Sequence, residues 1–180
     1  MLLSYNDCER KYGSHYQIQK ALESGQLYKI EPGIYADTPN IPELEVISFK
    51  YTRAVFTMDS AFYYHGLTDV IPERYHLATS KDAYKISEKK IRQHFHRDNT
   101  FLIGITEMRY HGVDIRIYDK ERMLIELIRN RKELPFDYYK EIIESYRRII
   151  QALDIEALQE YILAFPRKNH IWEAVELEVM

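Results

Sequence analysis

Between Ser14 and Lys20 the chain places a hydroxyl, an imidazole, a phenol, two amides and an ammonium in one short run, on Ser14, His15, Tyr16, Gln17, Gln19 and Lys20. Such groups donate to and accept from base edges and neutralise phosphates, which is the chemistry by which a helix lying in the major groove reads DNA. Lys29 and Tyr35 follow in the next segment and complete the candidate DNA-contacting set. Other spacings suggest catalysis and fail on their own terms. Gly13-Ser14 matches the Gly-Ser of nucleotidyltransferases, but no Asp-x-Asp is present to hold the metal that those sites need. Arg10 to His15 has the Arg-x4-His spacing of some small helical ribonucleases, yet Gly13-Ser14 interrupts the helix on which the two must converge. Asp114, Asp119, Lys120 and Glu121 sit at a helix start rather than alternating along one strand as a nuclease core would require. His94 and His96 share a strand face, but two ligands without a nearby third read as polar surface. There is no Gly-rich phosphate loop. The expectation is therefore a protein that is not an enzyme and uses no cofactor or metal.

The elements that must position the candidate DNA-contacting residues are legible around them. Ser14 can cap a helix by accepting from its first-turn N–H groups, and Ile18, Ala21 and Leu22 form an apolar stripe at i, i+3, i+4. Gly25 supplies a left-handed stop. Leu27 to Ile30 and Ile34 to Ala36 are short β-prone runs joined by Glu31-Pro32-Gly33, where proline presets one turn angle and glycine allows φ > 0. Preceded by a helix over Ser4 to Tyr12, this order predicts a winged helix-turn-helix over residues 1–40. Its charge is unusual for DNA binding: Arg10, Lys11, Lys20 and Lys29 stand against Asp7, Glu9, Glu23, Glu31 and Asp37, a net −1. Phosphate neutralisation normally supplies much of the affinity, so a homodimer or basic surface elsewhere in the chain would have to contribute.

A chain of 180 residues with 46% apolar content is long enough for a small domain and a larger one, each with a core. The formal charge of −3 argues against a nucleic-acid coat, so any polyanion contact must be local. The single cysteine, Cys8, excludes an internal disulfide and fits a reducing compartment. No apolar run approaches a membrane span, so a cytoplasmic protein with no membrane partner is expected. The 16 tyrosines read mainly as amphipathic packing at core edges.

Asp37 to Glu43, with two prolines, reads as a linker into a second domain over residues 41–180. Helices are expected over Glu43 to Tyr51 and Met58 to His65. Short strands follow at Tyr75 to Thr79, Ile91 to His96, Phe101 to Arg109 and Val113 to Tyr118, with Tyr110-His111-Gly112 as a hairpin turn. From Asp119 the period becomes helical: Asp119 caps Glu121 to Asn130, then Tyr138 to Leu153, Ile155 to Ala164 and a last helix around Trp172. The fold class is thus α+β, a small N-terminal winged helix-turn-helix plus a larger domain with a small, mainly antiparallel sheet and a helical C-terminal part.

Three segments then bring a family into view. Gly25-Gln-Leu-Tyr-Lys-Ile-Glu-Pro-Gly-Ile-Tyr35, Ser60-Ala-Phe-Tyr-Tyr-His-Gly-Leu-Thr68 followed by Pro72, and Ile117-Tyr-Asp-Lys-Glu-Arg-Met-Leu-Ile-Glu-Leu-Ile128 stand in this order. They resemble the wing and the two internal signatures of AbiEi-type antitoxins, the transcriptional-repressor half of type IV abortive-infection toxin–antitoxin pairs. The resemblance covers roughly the first 130 residues. It implies an N-terminal winged helix that binds operator DNA and a C-terminal domain needed to neutralise a cognate nucleotidyltransferase-like toxin. The chain departs from the family pattern in having one helix, not two, before the reading helix, and in a short, acidic C-terminal region. Within the signatures, His65 reads as a hydrogen-bonded core-edge residue. Glu121 and Arg122, near the first turn of their helix, leave open a buried or an exposed Arg–carboxylate pair.

Residues 81–97 hold Lys81, Lys85, Lys89, Lys90, Arg92 and Arg97 against Asp82 and Glu88, net +4, whereas residues 133–180 are net −5. The basic stretch is an auxiliary surface for DNA or for an acidic partner, or simply a solvated face. Two functions follow: a DNA-binding antitoxin and autorepressor, or a protein-interaction module of the same fold that does not bind DNA.

Overall fold

In the computed structural model, which describes residues 1–180, Leu2 and Leu3 begin a strand that nothing local in the sequence announces. The chain divides into two compact units, Met1–Thr52 and Arg53–Met180, and has the α+β character expected.

The first unit runs β1 (Leu2–Ser4), α1 (Tyr5–Tyr12), α2 (His15–Glu23), β2 (Tyr28–Glu31), β3 (Ile34–Ala36) and α3 (Glu43–Lys50). Ser4 caps α1 through a reciprocal box: its Oγ accepts from Asp7 N–H at 3.2 Å, and Asp7 Oδ2 accepts from Ser4 N–H at 2.9 Å. Gly13, at φ +86°, ends the helix in the left-handed region and donates to the Glu9 carbonyl, so that only Gly13 and Ser14 separate α1 from α2. The three strands form an antiparallel sheet in the order β1-β3-β2. Alternation along β1 and β3 sends Leu3 and Tyr35 to one face, where they bury with Cys8, Ile18, Ala21 and Leu27. Leu2, Ile34 and Ala36 go to the other face, where Val46 of α3 covers them, with Phe49 alongside. Burial of this kind stabilises by roughly 1.5–3 kcal/mol per large apolar side chain, so α3 belongs to the first unit. The boundary expected near residue 40 accordingly moves to Thr52.

The second unit runs β4 (Val55–Phe56), α4 (Met58–Tyr64), β5 (Tyr75–Ser80), β6 (Ile91–His96), α5 (Asp98–Phe101), β7 (Ile105–Tyr110), β8 (Val113–Tyr118), α6 (Lys120–Arg129), α7 (Phe136–Ile149), α8 (Ile155–Leu163) and α9 (Lys168–Glu178). Its sheet has the order β6-β5-β4-β8-β7. The expectation of a mainly antiparallel sheet needs correcting, because β5–β6 and β4–β8 are parallel and only β4–β5 and β7–β8 are antiparallel. The physical reason lies in the β5–β6 connection, residues 81–90, which makes a parallel crossover without a helix. Gln93 holds that connection to the sheet, accepting from Ile86 N–H at 2.8 Å and donating to the Tyr84 carbonyl and to Thr79 Oγ1. A second correction falls on Phe101, which closes the short helix α5 instead of opening a strand. The hairpin expected at Tyr110 to Gly112 is present, with His111 at φ +47° and Gly112 at φ +84°, the two positive angles that a tight two-residue turn between twisted strands requires.

Helix α6 is the core of this unit: every residue from Arg122 to Ile128 is buried. Asp119 caps it, with Oδ1 accepting from Arg122 N–H at 2.7 Å and Oδ2 accepting from the Tyr161 hydroxyl at 2.9 Å. Both groups respond to burial, which raises the Asp119 carboxyl above the ordinary carboxylate range and, with the Asp119 hydrogen bond, pushes Tyr161 up to about 12. No helix is long and apolar enough to cross a membrane.

Candidate functional site

In the first unit, α2 buries Ile18 and Ala21 and turns His15, Tyr16, Gln17, Gln19 and Lys20 to solvent. Ser14 caps it, Oγ accepting from Gln17 N–H at 3.3 Å, so its hydroxyl is occupied in holding the helix start. His15 is steadied from α1, its Nδ1 lying 3.3 Å from the Tyr5 hydroxyl. Tyr16 is 72% exposed. Lys20 and Lys29 carry no ion pair, and Lys29 is exposed on β2. The β2–β3 turn is Pro32-Gly33, Gly33 having φ +81°, and Lys50 of α3 ties its base by a 2.9 Å ion pair to Glu31. Six of the eight candidate residues are thus accessible side chains around α2 and the hairpin with no fixed structural bond or only a loose one, and Ser14 is a cap. Tyr35 is the correction: it sits on the central strand, is 8% exposed, and packs against Tyr5 in the core, so it is a packing residue and not a contact residue.

The basic stretch of the second unit is not one surface. Lys81, Lys85 and Lys89 are exposed on the β5–β6 connection, while Lys90 is half-buried beside Glu88 at 3.8 Å and Lys81 lies 3.7 Å from Asp98. Arg92 lies on β6 on the same side as His94 and His96, opposite Gln93 and the connection that Gln93 holds. Arg97 follows the strand.

That side of β6 faces a buried polar network that sequence reasoning only partly anticipated. Arg122, wholly buried, donates to Glu126 Oε1 from Nε at 3.0 Å and to the Thr100 and Ile103 carbonyls from Nη1. Its guanidinium lies 4.2 Å from the Tyr118 ring centroid and 4.8 Å from that of Phe165. Glu126 also accepts from Arg129 Nη1 at 3.1 Å and from the Asn130 amide at 3.2 Å. Burial alone would raise the Glu126 carboxyl, but Arg122, then Arg129, outweigh it and hold it below the usual carboxylate range. Of the two arrangements left open for Arg122, the buried one is realised, with Glu126 rather than Glu121 as partner. Glu121 instead accepts from Asp154 N–H at 2.8 Å.

Beyond the network, His96 Nδ1 lies 3.2 Å from Arg122 Nη2, and His94 Nε2 lies 3.2 Å from His76 Nδ1, whose Nε2 is 3.5 Å from Asp59. Burial, then neighbouring positive charge, pushes His76 and His94 down to about 4, so both are neutral near pH 7. His94 and His96, with Arg97, Asn99, Arg129 and Asn130, line a cleft of ≈ 700 Å³ to which Phe165 and Pro166 also contribute. His65 is a cap residue at the end of α4 whose Nε2 meets the Tyr118 carbonyl at 2.7 Å, the core-edge role expected of it. No group of three or more His, Cys, Asp or Glu residues is placed to hold a metal ion. No family model matches the chain, and a search of curated proteins finds no match.

Proposed function

We propose that this chain is a DNA-binding antitoxin and transcriptional autorepressor of the AbiEi type, without catalytic activity, whose first unit is a winged helix-turn-helix and whose partner is a nucleotidyltransferase-like toxin. The observation that carries the reading is the exposure on α2 of five consecutive-turn polar side chains, His15, Tyr16, Gln17, Gln19 and Lys20, beside a glycine-turned hairpin bearing Lys29. Helix α1, the two-residue Gly13-Ser14 link, α2 and the β2–β3 hairpin follow one another as a helix-turn-helix and its wing would. On this reading α2 enters the major groove, Gln19 reads a base edge, and Lys20 and Lys29 meet phosphates. The family reading rests further on the three sequence segments quoted above.

A mobility-shift titration on the protein's own promoter tests it. Lys20→Ala and Lys29→Ala should weaken binding to all sequences and each lower the salt slope by about 1, whereas Gln19→Ala should relax preference at one base pair by about 1–3 kcal/mol. Unchanged binding in all three variants would remove the helix-and-wing assignment.

The second reading, a protein-interaction module of the same fold, is favoured by charge. Unit 1 carries Arg10, Lys11, Lys20, Lys29 and Lys50 against Asp7, Glu9, Glu23, Glu31, Asp37, Glu43 and Glu45, a net −2 that works against a polyanion. Failure of the wild-type protein to bind its promoter at low salt would select it.

A further inference from the structure

We propose that the cleft of the second unit is a binding site for the phosphoryl group of a phosphorylated small molecule of nucleotide size. The cleft uses no residue of the first unit and is independent of the DNA-binding reading.

Its donors are what an oxyanion requires. Arg129 spends Nη1 on Glu126, lies 4.8 Å from the Phe165 ring centroid, and has no partner for Nε or Nη2. Arg97 is exposed at the cleft wall and pairs with no carboxylate; the adjacent Asp98 is engaged with Ser80 at 3.0 Å and Lys81 at 3.7 Å. Asn99 adds an amide with no hydrogen bond of its own. His96 adds a directed N–H, by elimination. A guanidinium can only donate, so Arg122 Nη2 makes His96 Nδ1 an acceptor, and the neutral imidazole then keeps its proton on Nε2. The only buried side-chain nitrogen or oxygen atoms without a partner are Ser48 Oγ and His65 Nδ1, so His96 Nε2–H reaches solvent from the cleft wall.

The charge balance sets the class of ligand. Glu126 is the one carboxylate lining the cleft, beside Arg97 and Arg129, and it is already ion-paired to Arg129 and to Arg122, which is buried behind the lining. These four groups together carry two excess positive charges, with Arg97 and Arg129 at the cleft itself. A phosphate monoester carries nearly two negative charges near pH 7, and its planar oxygen pairs match guanidinium forks. A volume of ≈ 700 Å³ is far more than a bare oxyanion fills and suits a ligand the size of a mononucleotide. Met58, at the cleft wall, holds φ +44°, a left-handed backbone that a non-glycine residue keeps only where its surroundings impose it.

Titration calorimetry on the intact chain in phosphate-free buffer tests the site, with AMP, GMP, CMP and UMP as probes beside inorganic phosphate and adenosine. The expected result is saturable binding of at least one mononucleotide, with adenosine about tenfold weaker or worse because it lacks the charged group. Arg97→Ala, which removes no buried contact, should weaken that binding by about tenfold, Asn99→Ala should weaken it less, and Lys20→Ala should leave it unchanged. No saturable binding of any phosphorylated probe at millimolar concentration would overturn the proposal. So would adenosine binding as tightly as AMP, wild-type affinity in a folded Arg97→Ala protein, or loss of binding in Lys20→Ala, which would move the contact to the first unit.

Discussion

Arg122 and Glu126 stand one helical turn apart on α6 and close a 2.9 Å ion pair inside the second unit, where the residues are 0% and 2% exposed. A pair so far from water is stabilising only because the remaining donors and lone pairs are met, by the Thr100 and Ile103 carbonyls, by His96 Nδ1, by Arg129 and by Asn130. The network thereby joins α6 to the segment around α5 and fixes the side of β6 on which the cleft lies.

Breaking the pair from one side should be far worse than removing it whole. Arg122→Met leaves Glu126 buried with only Arg129 opposite, and Glu126→Gln leaves Arg122 with a neutral partner. Each should destabilise by about 3–5 kcal/mol if the carboxylate or guanidinium remains charged. The double variant Arg122→Met, Glu126→Leu should recover part of that loss. Urea denaturation measures all three, and a double variant less stable than either single one would refute the account.

The pH dependence of stability should fall in two steps. The His76 side chain is 7% exposed and its folded value lies near 4, below the ordinary 6.5. The unfolded chain therefore binds the proton first, and stability present above pH 6.5 is lost as pH falls towards 4, by roughly 3 kcal/mol for this one group. His94 acts in the same direction. Glu126 has a depressed folded value, so its contribution is present above the ordinary 4.5 and is lost only as pH falls further. Denaturation curves at pH 7, 5.5 and 4.5 measure the first step. His76→Gln should flatten it, and a His76→Gln protein with the wild-type slope would show that the histidine is not the titrating group.

How far the sequence reveals these relationships depends on how local their causes are. Helix α2 and the β2–β3 hairpin are legible because Ser14, the Ile18–Ala21–Leu22 stripe and Pro32-Gly33 act within a few residues. Strand β1 is not, since Leu2 gains its partner only at Ala36, and β4 is two residues long with partners at Ala78, Leu77 and Ile117. Tyr35 looks amphipathic enough for an interface, and only the position of β3 between β1 and β2 sends its ring into the core. The cleft was the least legible feature. Arg122 gives an open choice by sequence, and its burial follows from rings at Tyr118 and Phe165 and a carboxylate at Glu126, which the chain brings together from three elements.

Two glycines should report separately on the two units. A Cβ at Gly104 would lie 2.5 Å from Arg122 Cβ and 3.0 Å from Asp119 Oδ1, at a backbone φ of +73° that side chains disfavour, and Gly104 also accepts the 2.7 Å bond from Asp119 N–H. Gly104→Ala should therefore push on the α6 cap and the buried ion pair at once and destabilise the second unit by about 2–4 kcal/mol. Gly33 also needs its positive φ, but nothing lies within 4 Å of its Cβ position, so Gly33→Val strains only the hairpin turn. It should lower promoter binding and the stability of the first unit, and leave the second unit's transition in place. Amide hydrogen exchange reads the two units apart: Gly104→Ala should lower protection in α6 with α2 unaffected, and Gly33→Val should do the reverse. Equal loss of protection in both units from either substitution would mean that Met1–Thr52 and Arg53–Met180 unfold as one body, and the assignment of separate roles to them would fall with it.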